Sequence, residues 1–135
     1  MPIPTDLLAT ITAPLEAGTP DAAIQVWQLL RNKLDPLLGA LSSQLLFVRS
    51  LDAHRPAYPW LPATGSLPER EAVFAAFHKL LPGLEPQVLI EVNRALLATY
   101  TDAICELIGA SLATRFLRSA FPGPSAIKNT QENLA

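Results

Sequence analysis

The sequence predicts an all-α protein: a compact bundle of four main helices plus a short N-terminal helix, with a strap rich in proline and aromatic residues as one connection. Apolar residues recur every three to four positions along most of the chain, which is the period of an amphipathic helix. Capping residues and prolines divide this pattern into segments of helical length. The β-branched alternation that is typical of strands is missing nearly everywhere.

We expect a single domain over residues 1–121 and a polar tail over residues 122–135. The tail is either a frayed terminus or the start of a linker to a further domain. Of the 135 residues, 50% are hydrophobic, and a domain of this size buries roughly two-thirds of the surface that its unfolded chain exposes. Such a core needs neither disulfide bonds nor a structural metal to hold it together.

The first half of the chain carries two predicted helices. Thr5 is a candidate cap for the short N-terminal helix, which Gly18 ends. Thr19-Pro20-Asp21 predicts the next start, because threonine caps, proline fits the first turn and aspartate complements the helix dipole. We expect one amphipathic helix of about 30 residues from there, kinked or broken at Pro36. Its predicted apolar stripe comprises Ile24, Trp27, Leu30, Leu34, Leu38, Leu41, Leu45 and Val48.

A capping box predicts the start of the next helix. In Ser66-Leu67-Pro68-Glu69 a serine is followed three positions later by a glutamate, so each side chain can satisfy a free backbone amide of the first turn. The helix that it opens directs Phe74 and Phe77 toward the core. Pro82-Gly83 ends it, because proline cannot continue the helical hydrogen-bond pattern.

The last long helix begins at Glu85-Pro86 and is predicted to be central in the bundle. Apolar residues cover much of its circumference, and such a helix is usually buried on several sides. At Gly109 we expect an interruption, with Ser111 as the cap of a separate final helix. Pro122 stops that helix.

Charge and hydropathy exclude several classes of partner. Ten basic and twelve acidic residues give a net charge of -2, and no predicted helix carries the basic stripe that phosphate neutralisation requires, so we expect no nucleic-acid binding. No apolar run approaches the roughly 20 residues that span a bilayer, so we expect no membrane insertion. The N-terminus lacks the pattern of a signal peptide. Together with the lone Cys105, this predicts a cytoplasmic protein.

The chain has little equipment for catalysis. It contains two histidines and one cysteine with no local cluster, so we expect no metal, no cofactor and no catalytic residue, and we predict that the protein is not an enzyme. Phe77-His78-Lys79-Leu80-Leu81 resembles the helix of histidine phosphotransfer domains over five residues. It departs from their pattern because Pro82 breaks the helix within about a turn and Lys79 is adjacent to the histidine. We therefore interpret His78 as an ordinary surface histidine.

The strap from His54 to Ser66 has two main interpretations, besides a third in which its proline-rich segment docks into the aromatic groove of a partner protein. Its prolines fix their own torsions and restrict the preceding residues, so the segment is predicted to be stiff and extended. Its rings then either close one end of the core or stand at the mouth of a pocket for a small apolar or anionic ligand. The residues of that mouth are His54, Arg55, Tyr58 and Trp60, with Arg49, Arg115 or Arg118 available for an anionic group.

The polar face of the first long helix is the predicted contact surface. It is nearly uncharged, and it is either a solvated face or an interface, since charged residues are depleted at the core of protein interfaces. Its residues are Gln25, Gln28, Asn32, Ser42 and Ser43. We predict a helical interaction or dimerisation module, a regulatory or signalling input domain of a bacterial protein that binds a second copy or another protein. The alternative is a sensor domain that binds a small molecule beneath the strap.

Overall fold

The computed structural model describes residues 3–62 and 72–121, and in these residues it is an all-α bundle without strands, which confirms the predicted fold class. The capping box at 66–69 and the tail at 122–135 lie outside the described residues. Within the described ranges the bundle has six α-helices and two short 3₁₀ segments. In chain order they are α1 (Thr5–Thr12), a 3₁₀ segment (Ala13–Ala17), α2 (Pro20–Leu38), α3 (Ala40–His54), α4 (Val73–Leu80), a 3₁₀ segment (Leu81–Gly83), α5 (Pro86–Ile108) and α6 (Ala110–Ala120).

Some predicted helix ends are confirmed and others are wrong. The Thr19 hydroxyl accepts a hydrogen bond from the Ala22 amide at 3.3 Å, as the capping signal predicts. Gly18 ends the first helical segment in the left-handed region at φ +69°. Thr5 and Ser111 are not caps, because each already lies inside its helix, and the N-cap residues are Pro4 and Gly109 instead.

The predicted helix of about 30 residues is two helices, and the break falls at Gly39 rather than at Pro36. Pro36 stays inside α2 because it lies on the exposed face, where water can replace the missing donor to the Asn32 carbonyl. Gly39 has φ +89° and ψ 146°, a conformation that is almost restricted to glycine. Its amide donates to the Asp35 carbonyl at 2.8 Å and its carbonyl accepts from the Ser43 amide at 3.1 Å, so one residue ends α2 and starts α3.

A second corner of the same kind joins α5 to α6 at Gly109, where the predicted interruption is confirmed. Gly109 has φ +90° and ψ 147°. Its amide donates to the Cys105 carbonyl at 2.8 Å, and its carbonyl accepts from the Ala113 amide at 3.0 Å. Helix α3, which follows the first corner, packs on α5. Helix α6, which follows the second corner, packs on α2. The bundle is therefore built from two similar helix–glycine–helix units.

An aromatic cluster fills the centre of the bundle. The ring of Trp27 meets Phe47 and Tyr100 edge-to-face, with centroids 4.9 and 5.4 Å apart. Phe47 stacks on Phe74 at 4.2 Å and meets Phe77 at 5.3 Å, which fastens α4 to α3. Offset and edge-to-face ring pairs of this kind add to the stabilisation from burial alone.

Asn93 and Ser43 are among the polar residues buried in this apolar centre, and each has a hydrogen-bond partner. The indole nitrogen of Trp27 donates to the Asn93 side-chain oxygen at 2.9 Å, and the Asn93 amide nitrogen donates to the Leu89 carbonyl at 2.8 Å. The Tyr100 and Ser43 hydroxyls are 3.1 Å apart. Burial raises the pKa of Tyr100 to about 12. Because the buried groups are paired, they fix the orientation of the rings without the cost of an unmatched polar group.

Candidate functional site

The exposed outer face of α2 carries little charge. Its exposed residues from the second turn onward are Gln25, Gln28, Leu29, Asn32, Lys33, Pro36 and Leu37, of which only Lys33 is charged. Gln25, Gln28 and Asn32 recur at helical spacing, and with Leu29 they line a shallow concavity of about 260 Å³. The structure thus brings together three residues of the predicted contact surface, Gln25, Gln28 and Asn32. We call these three residues and Leu29 the α2 face.

An apolar groove continues the α2 face toward α6, and we call it the α2–α6 groove. Its volume is about 570 Å³. Leu29, Pro36 and Leu37 form one wall and Phe116 and Ala120 of α6 form the other, with Asn32 and Lys33 as the polar residues. Lys33 donates through Nζ to the Ser119 hydroxyl at 3.1 Å, which ties the two helices together across the groove. The sequence pattern did not reveal this site, because its two walls come from helices about 80 residues apart that only the fold brings together.

The two serines of the predicted contact surface do not join the α2 face. Ser43 is 0% exposed, and its hydroxyl bonds with that of Tyr100 in the core, so its assignment to an exposed polar face is wrong. Ser42 is half-buried on α3. The reason is the corner at Gly39, which changes the direction of the helix and therefore which residues of α3 point away from the core.

The first part of the strap is a series of turns rather than an extended segment. The Tyr58 amide donates to the His54 carbonyl at 2.9 Å, and the Leu61 amide donates to the Tyr58 carbonyl at 3.0 Å. Arg55 is helical at φ -60° and ψ -35° although Pro56 follows it, because its amide bonds to the Leu51 carbonyl and extends α3. The expected proline restriction is outweighed here by hydrogen bonds at the end of a helix.

Two of the predicted ligand residues in the strap, His54 and Arg55, make contacts within the chain. His54 Nε2 is 2.6 Å from the Thr99 hydroxyl of α5. Arg55 donates to the Pro62 carbonyl at 2.8 Å and pairs with the Asp52 carboxylate at 2.7 Å. These bonds hold the strap against α3 and α5, which is what a lid over the core requires.

The two rings of the strap lie against each other. Tyr58 and Trp60 meet at a centroid distance of 5.7 Å, with Tyr58 packed on the core and Trp60 41% exposed. Buried Leu61 anchors the end of the segment. The geometry favours the lid, and a ligand site beneath the strap stays a prediction.

His78 lies half-buried on α4 rather than on an open surface. Its Nε2 atom is buried and has no hydrogen-bond partner in the described part of the chain. The guanidinium of Arg31 lies 4.0 Å above the Phe74 ring, one turn before His78 on the same helix. Desolvation lowers the pKa of His78 below its ordinary value of 6.5, and the positive charge of Arg31 lowers it further.

This environment predicts a loss of stability in mild acid. Folded His78 resists protonation, whereas the unfolded chain takes up the proton at its ordinary pKa of 6.5. The free energy of unfolding should therefore fall as the pH drops below that value and level off below the folded pKa. Urea unfolding between about pH 7.5 and about pH 5 measures this dependence, and the His78→Gln variant should have a shallower one. Equal pH dependence in both proteins would contradict the assignment.

The side chains that could bind a metal ion are not clustered in the described residues. Within residues 3–62 and 72–121, no group of three or more histidine, cysteine or acidic side chains is placed to hold a metal ion. Cys105 is buried, and its burial raises the pKa of the thiol, with the nearby Asp102 carboxylate adding to the shift. A protonated, buried thiol is a poor nucleophile.

Among the described helices, none is long and apolar enough to cross a membrane.

The chain gave no match in comparisons with protein-family models, curated proteins and solved structures. The geometry of the α2 face and of the α2–α6 groove is therefore the basis for the functional proposals.

Proposed function

We propose that this protein is a non-enzymatic helical interaction module that forms a homodimer through the α2 face. The observation that carries the proposal is the composition of that face. Three amide side chains surround Leu29, which is 46% exposed, and no charged residue belongs to the four. Depletion of charge around an exposed apolar residue distinguishes the core of a protein interface from ordinary surface.

A second copy of the chain suits this face better than a charged partner does. A two-fold dimer places the same surface on both sides, so each residue must be compatible with its own copy or with a neighbour on the same face. Glutamine and asparagine amides both donate and accept hydrogen bonds, and they therefore pair with one another. Leu29 of each copy would lose its exposed surface between the two rows of amides.

The electrostatics of α2 also permit self-association. Arg31 and Lys33 flank Asn32 along the helix, but the Arg31 guanidinium lies over the Phe74 ring of α4 and the Lys33 ammonium group is bonded to Ser119 on the α6 side. Two copies meeting at Gln25, Gln28 and Asn32 therefore bring no like charges into direct contact. Like charges placed opposite each other across an interface cost several kcal/mol.

We extend the proposal to the wider role that the sequence suggests, a regulatory or signalling domain of a cytoplasmic bacterial protein. The scarcity of histidine and cysteine supports a role without catalysis, because few side chains suited to it are present. The dimer can be tested without reference to it.

The test is a charge placed in the middle of the α2 face. We expect the wild-type chain to show a monomer–dimer equilibrium in sedimentation experiments, with a mass that rises with concentration. Gln28→Glu should weaken the dimer by about 10-fold or more, because the two-fold axis brings two new negative charges close together. Gln87→Glu, which adds the same charge on an exposed position of α5, is the matched control and should leave the equilibrium unchanged. Equal behaviour of the two variants would reject the α2 face as the interface.

A further inference from the structure

The α2–α6 groove presents a continuous apolar surface to solvent. Leu29 and Leu37 lie two turns apart on α2, and each is 46% exposed although each has a large aliphatic side chain. The half-buried ring of Phe116 faces them from α6. The volume of about 570 Å³ lies within the range of small-molecule sites, which are mostly apolar with a few polar groups.

The polar residues of the groove lie midway along its α2 wall, about one turn from Leu29 and one turn from Leu37, and they carry a positive charge. Lys33 is the charged residue among its lining residues, and Asn32 beside it carries an amide that can donate hydrogen bonds. The ion pairs formed within the described residues leave Lys33 out. They are Arg49–Glu106, Arg55–Asp52, Arg94–Glu16 and Arg118–Asp6.

The position of the Lys33 ammonium group is defined by its bond to Ser119. The Nζ atom donates to the Ser119 hydroxyl at 3.1 Å, and two of its three protons stay available to an incoming acceptor. An anionic group beside Lys33 would gain charge-assisted hydrogen bonds, which are about twice as strong as neutral ones. The groove therefore combines apolar walls with a cation midway along the α2 wall.

We propose that the α2–α6 groove binds a free aliphatic monocarboxylate. The carboxylate accepts hydrogen bonds from Lys33 and Asn32, and the aliphatic chain extends from there along Leu37 and Phe116. Neutral apolar molecules leave the ammonium group unmatched, and dianions bring more charge than one lysine neutralises. The proposal does not rest on the homodimer. Because the groove and the α2 face share Leu29 and Asn32, a bound carboxylate and a second copy of the chain compete for these residues.

Calorimetric titration with decanoate tests this site on the 135-residue chain. Decanoate should bind one to one, and 1-decanol, which lacks the charge, should bind about 10-fold more weakly. Lys33→Met keeps the aliphatic stem and removes the charge, so it should weaken decanoate binding by about 10-fold and leave decanol binding unchanged. Leu37→Ser should weaken the binding of both, because it removes part of the apolar wall that both chains contact.

Lys79→Met is the matched control, since Lys79 is an exposed lysine on α4 away from the groove. It should bind decanoate as the wild type does. The proposal is wrong if decanoate does not bind, or if the two lysine variants lose the same affinity. Association with phosphatidylglycerol vesicles without decanoate binding would also overturn it, because the surface would then recognise a lipid bilayer. Light scattering gives the mass of each sample, so a failure of decanoate to bind can be distinguished from a failure of the chain to form the homodimer.

Discussion

Replacing Trp27 with alanine is expected to lower the free energy of unfolding by about 5 kcal/mol. Removal of a large buried aromatic side chain costs about 3–5 kcal/mol through lost burial and the cavity that it leaves. Trp27 is 0% exposed and touches Phe47, Phe77 and Tyr100. The substitution also leaves the Asn93 side chain in the core without its donor, which adds about 1–3 kcal/mol.

A loss of this size approaches the whole stability of many small domains. Trp27→Phe is therefore the practical variant, and we expect it to lose about 2–3 kcal/mol in urea unfolding because it keeps part of the ring and loses the bond to Asn93. Trp60→Ala is the matched control, since the Trp60 side chain is 41% exposed, and it should lose less than Trp27→Phe. If Trp60→Ala were the more destabilising change, the position of the aromatic core would be wrong.

Alanine at either glycine corner is expected to destabilise the bundle by about 1–3 kcal/mol, the cost of a non-glycine residue in a sparsely populated backbone conformation. Gly39 and Gly109 have φ values of +89° and +90°, and an added Cβ atom would meet nothing within 4 Å at either position. The penalty therefore comes from the backbone alone. The two substitutions should cost similar amounts, because the two corners have nearly the same geometry.

Gly83→Ala is the control for the corner variants. Gly83 is not in the positive-φ region, and its added Cβ atom would also be in open space. Thermal or urea unfolding should therefore find this variant as stable as the wild type or slightly more stable, because alanine lowers the entropy of the unfolded chain. A corner variant that was as stable as Gly83→Ala would contradict the backbone geometry at that corner.

The helical content and much of the core were predictable because amphipathic periodicity is a local property of the chain. Phe74 and Phe77 of α4, and Trp27 of α2, are buried as the pattern predicts. After Gly39 the predicted stripe is confirmed only at Val48: Leu41 and Leu45 are exposed, and Leu46 and Phe47 are buried instead. A periodic stripe holds only along one helix axis, and the corner at Gly39 starts a new axis.

A signal for that corner was present in the sequence. Leu37-Leu38-Gly39-Ala40 and Leu107-Ile108-Gly109-Ala110 share one pattern, and an interruption was predicted only at the second. Pro36 is the stronger helix breaker by propensity, so the break was predicted at the proline instead of the glycine. The helix continues through Pro36 in the structure, because the proline lies on the exposed face of α2.

The candidate site was predictable only in part. Gln25, Gln28 and Asn32 precede the corner, so their shared face follows from the helical period alone. Ser43 follows the corner, and its burial against Tyr100 depends on how α3 packs on α5. The α2–α6 groove and the half-buried position of His78 likewise depend on contacts between distant segments. Asn93 was missed because it interrupts an apolar stripe, and only its bond with Trp27 explains its place in the core.

Disulfide trapping tests the homodimer through the α2 face most directly. Because Cys105 is buried, single cysteines at Gln25, Gln28 and Asn32 each supply the accessible thiol of a variant, and residues near a two-fold axis face their own copies. The account predicts that at least one of these variants forms a covalent dimer under mild oxidation far more completely than Lys79→Cys does. Yields no higher than that of Lys79→Cys at all three positions would contradict it.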